Sequence, residues 1–376
     1  FSLILQRPYD NLGINGARLI NIRTTERSTE PQAMGNYFFD IVLRNLLHDS
    51  EPLVPELGNV VEQAAIRNPD YILLWIGNND ILHVVLNGAG LNGSDFEAGA
   101  SDPPLPIEDF EDEYELLLDL LLAITDGIVL ASIPDYLPFV YALDGIRKNV
   151  SDLGEVPCMF DPQTFEPIDF DEGSGELYIP LLLEEEGAPY LLMSGAILYL
   201  DLEEQGYGLG IPDKTALLTT TYGFSSEEAD SIIAKIETLG LTPSGLPLPG
   251  ICTLTGKEES DAMSYINGYN TIISGLSTTK GLPLVDISAA WWRDGDFDDY
   301  SMDYALQDQE KTAFSLDGVH PNNLGQALCA HAFIEVLNDK YMLGIPQIDP
   351  ALYAGQYAGK SIEARGLKAL QRMEDF

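Results

Sequence analysis

An aspartate stands three residues before a histidine in Asp317-Gly318-Val319-His320-Pro321, and helical periodicity from Asn322 to about Asn338 follows. A short loop closed by proline at the first helical turn can hold both side chains at the mouth of one site. There the imidazole acts as a general base and the carboxylate orients it, so the pair lacks only a nucleophile. Without function, the same residues make a helix-entry turn. Two other stretches supply what such a dyad needs. The apolar run Tyr71 to Ile76, read as a buried strand, is followed by Gly77-Asn78-Asn79-Asp80. A glycine at a strand's carboxyl end followed by an amide side chain can present hydrogen-bond donors to a developing oxyanion. Near the start, Asn11-Leu12-Gly13-Ile14-Asn15-Gly16 offers a second tight, backbone-exposing turn. Each is weak alone, because turns are commonly rich in Asn and Gly.

Taken in this order, N-x-G-x-x-G, G-N-N-D and D-G-V-H-P resemble blocks II, III and V of the SGNH (GDSL) esterase and lipase family. The resemblance covers Asn11 to about Asn338, with a large unmatched stretch in the middle. Leu74 to Leu82, Ser132-Ile133-Pro134-Asp135 and Phe314 to Pro321 are most similar to the long members of Bacteroidetes-type bacteria. The resemblance implies an α/β fold, a three-layer α/β/α sandwich on a parallel, flavodoxin-like sheet, with no cofactor. It makes the Gly16 backbone N–H and the Asn79 side chain the oxyanion donors, His320 the general base and Asp317 its orienting acid. Gly77 and Asp80 would support the site, Asp80 bracing the turn rather than reacting. The implied substrate is an ester, whether of a lipid, an acetylated sugar or a small metabolite.

The family's block I, the G-D-S or G-N-S turn with the nucleophilic serine, does not occur in these residues. Ser2 lacks the flanking glycine and acid, and there is no G-x-S-x-G elbow. The chain begins at Phe1 without a methionine or signal peptide, so it is expected to be a fragment, with the serine upstream. The implied location is secreted or cell-envelope associated.

Gly35 to Leu47 and Glu56 to Asn68 show helical spacing, the latter with Leu57, Val60, Val61 and Ala64 on one face. Ile81 to Ile107 reads as loop, and Glu108 to Thr125 as an acidic helix with a leucine face. Gly127 to Ile133 reads as a second strand, and this alternation implies a parallel sheet covered on both sides. From Tyr136 to about Thr255 the rhythm breaks into hairpin-like or short helical pieces such as Leu191 to Leu202 and Ser225 to Leu239. That stretch is too long for a loop and too apolar for disorder, so an inserted cap is expected. Glu258 to Leu276 returns as helix and Leu282 to Ile287 as the last strand. In the final helix Leu324, Ala327, Ala330, Ile334 and Leu337 form one stripe. The expected organisation is 1–135 and 256–343 as the two parts of a hydrolase core, 136–255 as the insert and 344–376 as a tail.

Two other classes compete. Gly-Asn-Asn-Asp resembles part of a metallophosphoesterase motif, but binuclear sites need several His and Asp ligands, and four histidines with no D-x-H or H-x-H fit poorly. His48 and His83 are read as surface-loop residues and His331 as a helix residue. The acids from Asp294 to Asp299 do not have EF-hand spacing. The second alternative is a non-catalytic, carbohydrate-binding surface protein on the same scaffold.

Composition narrows the partners. Apolar residues make up 45% of the 376, as in a globular protein, while 60 acids against 19 bases give a net charge of −41. Such a surface repels nucleic acid and anionic lipid. No apolar stretch is long enough to span a bilayer as a helix. Cys158, Cys252 and Cys329 form no C-x-x-C; the first two bracket the insert and either pair or remain buried thiols. The charge fits a high-salt habitat or an ordinary acidic secreted protein. In the first case the unfolding temperature should climb as NaCl rises from dilute to molar, because screening relieves self-repulsion; a flat response in a thermal melt removes the high-salt reading.

Overall fold

The computed structural model describes residues 10–14, 16–26, 38–43, 57–86, 103–134, 155–161, 167–168, 177–182, 190–191, 214–221, 223–239, 253–254, 256–291, 313 and 320–353. Among these, a small parallel sheet is built from β1 (Ile72–Leu74), β2 (Ile128–Ala131) and, after the insert, β7 (Leu284–Val285), in the order β1-β2-β7. Ile72 pairs with Ile128 and Leu74 with Leu130, while Leu130 pairs with Leu284 and Ala131 with Val285. All four residues of β2 are fully buried, as a strand flanked by partners and covered on both faces must be. Each such Ile, Val or Leu side chain contributes about 2 kcal/mol over leaving it in water.

The pleat divides β2 between two cores. Ile128 and Leu130 join a larger cluster with α1 (Leu19–Thr24), α3 (Val60–Arg67), α4 (Asn78–Leu86), α5 (Ile107–Leu122) and α7 (Gly256–Lys280). α2 (Phe38–Leu43) adds Phe39 and Leu43 to the same cluster. Val129 and Ala131 join Val285 in a second cluster with α8 (Ile287–Trp291) and α9 (Asn323–Tyr341). Helices therefore pack on both faces, and the chain is a mixed α/β protein.

Several expected elements change length for local reasons. α3 starts at Val60, behind Leu57, because Asn59 and Glu62 form a reciprocal capping box, and it ends at Asn68 in the left-handed conformation (φ 47°). Ile81 to Leu86, expected as loop, is helical, since Ile81, Val84 and Val85 form a buried face. α5 buries Phe110 and Tyr114 as well as Leu117, Leu118 and Leu121, whereas Leu116 and Leu120 face outward. On α9 the buried stripe passes through Leu324, Leu328, Phe333 and Leu337, and Ala330 and Ile334 are only half-buried. Downstream, Asn338 grips Ile345 through both its N–H and C=O, and His331 Nδ1 lies 2.7 Å from the Ile348 carbonyl, so residues to Tyr353 fold back on α9.

Between β2 and β7 in the chain, β3 (Glu155–Phe160) and β4 (Leu177–Leu182) pair in parallel, a pairing to which nothing in the sequence pointed. β5 (Tyr190–Leu191) and β6 (Thr253–Leu254) pair antiparallel, joining the insert's interior to its exit, and Leu192 to Leu202 lies outside the described residues. α6 (Ser226–Leu239) matches the expected helix, with Ser225 and Glu228 capping its start.

Between β1 and α4 the chain turns at Gly77 with φ 112°, and a Cβ there would lie 2.7 Å from Ile133 Cδ1 and 3.3 Å from Phe110 Cε2. Gly281 has φ 68° but open space around it. Gly77→Ala should therefore lower stability by about 2 kcal/mol or more in urea unfolding, against about 1 kcal/mol for Gly281→Ala, where only backbone strain is added. Equal effects would show that the Gly77 crowding relaxes. At the end of α7, Lys280 Nζ meets Asp119 Oδ1 at 2.6 Å and Glu115 Oε1 at 3.1 Å, and the Asp119 hydrogen bond leads in raising its pKa above 10.5. The tie is complete below that value and is lost as pH rises through the higher folded value. Lys280→Met should flatten the alkaline limb of a stability–pH curve.

Candidate functional site

The carboxyl ends of the three strands define one end of the sheet. There β1 continues through Trp75, Ile76 and Gly77 into the first turn of α4, which carries Asn78, Asn79 and Asp80. Asp80 N–H donates to the Gly77 carbonyl at 3.1 Å, closing the turn. Behind it stands an aromatic stack, with the rings of Phe110 and Tyr269 3.7 Å apart and nearly parallel. The Tyr269 hydroxyl donates to the Leu105 carbonyl.

The N-terminal turn docks directly against α4. Asn11 Oδ1 accepts from Gly13 N–H at 2.8 Å, the usual local bond of an Asn turn, and Ala17 N–H donates to Ile14 O at 3.2 Å across Gly16. Gly16 is exposed, with φ 77°. Asn79 Nδ2 donates to Ala17 O at 2.9 Å, and the buried Asp80 carboxylate accepts from Leu19 N–H at 2.8 Å. An acid accepting the first amide of α1 satisfies an orphan donor and suits the helix dipole. Asn79 thus lies against the residue next to Gly16, and one of its two amide hydrogens is committed to Ala17. Asn78 Oδ1 is buried and accepts no hydrogen bond among the described residues.

Burial pushes the Tyr269 phenol up, the negative charge of Asp80 adds to the rise, and Arg18 acts against it. His83, expected in a surface loop, is instead half-buried on α4, one turn after Asn79. Its Nδ1 lies 2.7 Å from the Asn79 carbonyl and its Nε2 3.4 Å from Arg18 Nη1. The spacing of His83 from Asn79 carried this information, but only once Ile81 to Leu86 is taken as helix.

His320 belongs to the opposite face. It is exposed, immediately before Pro321, and Asn322 caps α9 by accepting from Gly325 N–H at 3.0 Å. Asn322 N–H donates to the buried Ala313 carbonyl at 2.9 Å, and a Cβ on Gly325 would lie 2.2 Å from that oxygen. The far end of α9 fixes its direction. Tyr341 OH donates to the carbonyl of Ile128, the first residue of β2, and Lys340 Nζ reaches Gly281 O ahead of β7. The helix therefore ends at the amino ends of the strands and begins at their carboxyl ends, so His320 stands at the same end of the sheet as Gly77 and Asn79. Asp317, Asn15 and Ser2 lie outside the described residues, as do His48 and Cys252.

Ser132, at the carboxyl end of β2, accepts from Ile287 N–H through its hydroxyl at 3.0 Å, and Asn270 clamps Ile133 by bonding both its N–H and C=O. These contacts tie the residues that follow β2 to β7's exit and to α7. Among the described residues no set of three His, Cys, Asp or Glu side chains is grouped as a metal site, and no helix is long and apolar enough to cross a membrane. Compared with known proteins, the chain matches no family model, no curated protein and no solved structure.

Proposed function

We propose that this chain belongs to a serine ester hydrolase of the SGNH (GDSL) type, on a three-layer α/β/α sandwich with residues 136–255 as a cap. The observation that supports it best is the common location of Gly16, Asn79 and His320 at the carboxyl end of a parallel sheet, where open α/β folds place their ligands. In this reading His320 takes the proton of a serine hydroxyl as the oxygen attacks the ester carbonyl, and Asp317 stabilises the imidazolium. Gly16 N–H and the second amide hydrogen of Asn79 receive the tetrahedral oxyanion. His320 then returns the proton to the leaving alcohol, and water releases the acyl group by the same steps. The mechanism requires a serine on a strand leading into Asn11. The substrate class is a lipid, acetylated-sugar or small-metabolite ester, and a secreted or envelope location would suit any of them.

The test uses the protein expressed from its own initiation codon. It should hydrolyse short p-nitrophenyl esters, and Asn79→Ala should lower kcat by roughly a hundredfold to a thousandfold, the weight of one oxyanion donor. His320→Ala should lower kcat by about a thousandfold or more. Unchanged turnover in either variant would sink the assignment, and complete absence of a serine block upstream would favour a binding protein on the same scaffold.

A further inference from the structure

Three side chains from one turn of α4 hold three consecutive residues of the N-terminal segment: Asn79 engages Ala17, His83 engages Arg18 and Asp80 engages Leu19. Two of these contacts work in any ordinary protonation state, but the third does not. The Asn79 carbonyl can only accept, so His83 Nδ1 at 2.7 Å must carry a hydrogen. The Arg18 guanidinium can only donate, so His83 Nε2 must be the bare, accepting nitrogen. Both contacts together require the neutral imidazole in a single tautomer. Protonation would place an N–H and a positive charge against Arg18.

We propose that His83 is a positioning residue for residues 17–19, holding them against α4 only as the neutral imidazole, so that acidification loosens the segment next to Gly16. Among the described residues, the groups facing this cluster include Arg18 ahead of α1, Asp80 on α4, and Tyr265 and Tyr269 on α7, which packs against α4 and also buries Glu258. Asp80 is the counterweight: its carboxylate attracts an imidazolium, but one oxygen is already engaged by Leu19 N–H. By linkage, a contact that one protonation state alone can make is lost as the other state fills.

Docking can be measured without a substrate, so the test stands whether or not an ester is cleaved. Hydrogen exchange of peptides covering residues 16–26 would be followed in the full-length protein from about pH 8 to about pH 5, where imidazoles titrate, after correction for intrinsic rates. Protection in the wild type should fall by roughly fivefold, the weight of one ordinary hydrogen bond. His83→Gln, which can accept from Arg18 but does not titrate, should keep protection and lose its pH dependence. Arg18→Gln should weaken protection at neutral pH and leave little further fall. Wild-type protection that stays flat, or a His83→Gln variant with the wild-type fall, would overturn the proposal.

Discussion

The two-sided burial of β2 is the constraint on which the structure depends. A four-residue strand with no exposed side chain must have partners at both edges and helices on both faces. Parallel pairing to β1 and β7 then brings all three carboxyl ends to one side, although β7 follows β2 by about 150 residues of chain. The long helix α7 packs on one face of the sheet and leads into β7. Asn270 and Ser132 lock the exits of β2 and β7 at that rim.

At the rim, geometry is set by crowding as much as by hydrogen bonding. Gly77 is required twice over, by a positive φ and by Ile133 and Phe110 where a Cβ would sit. Its turn aims the start of α4 at the N-terminal segment, and the buried Asp80 carboxylate is compensated by the Leu19 amide. A buried acid without such a donor would be costly, so the segment and the helix support each other. On the other face the same economy of space operates where Gly325 lets α9 press against Ala313, placing His320 at the helix entry.

Charge is distributed to match. The outer face of α5 carries Glu108, Asp109, Glu111 and Asp112 into solvent, while the scarce bases tie elements together. Arg23 reaches Glu113 with two nitrogens, joining α1 to α5, and Lys280 joins the end of α7 to α5. Exposed pairs of this kind are individually weak, but they counter repulsion where acidic helices approach.

Much of this was legible beforehand because it is local. Apolar runs and helical periodicity located β1, β2, α3, α5, α7 and α9, and Gly77-Asn78-Asn79-Asp80 announced a turn at the end of β1. What periodicity could not supply was the continuation of α4 through Leu86, since a nine-residue helix with one histidine on its inner side resembles a loop edge. The expected α9 stripe slipped for a related reason: a helix rich in Ala and Leu offers more than one apolar face, and contact with β2 and β7 selects among them. By itself, the sequence determined the α/β alternation, the acidic surface and the glycine turns, because these follow from spacing, charge and backbone sterics. Only the tertiary structure decided which groups come to the same end of the sheet. The antiparallel run of α9 carries His320 to the rim, and the packing of α4 on residues 17–19 gives His83 a partner 65 residues away. Such proximities depend on how elements pack around β2, which no local pattern encodes.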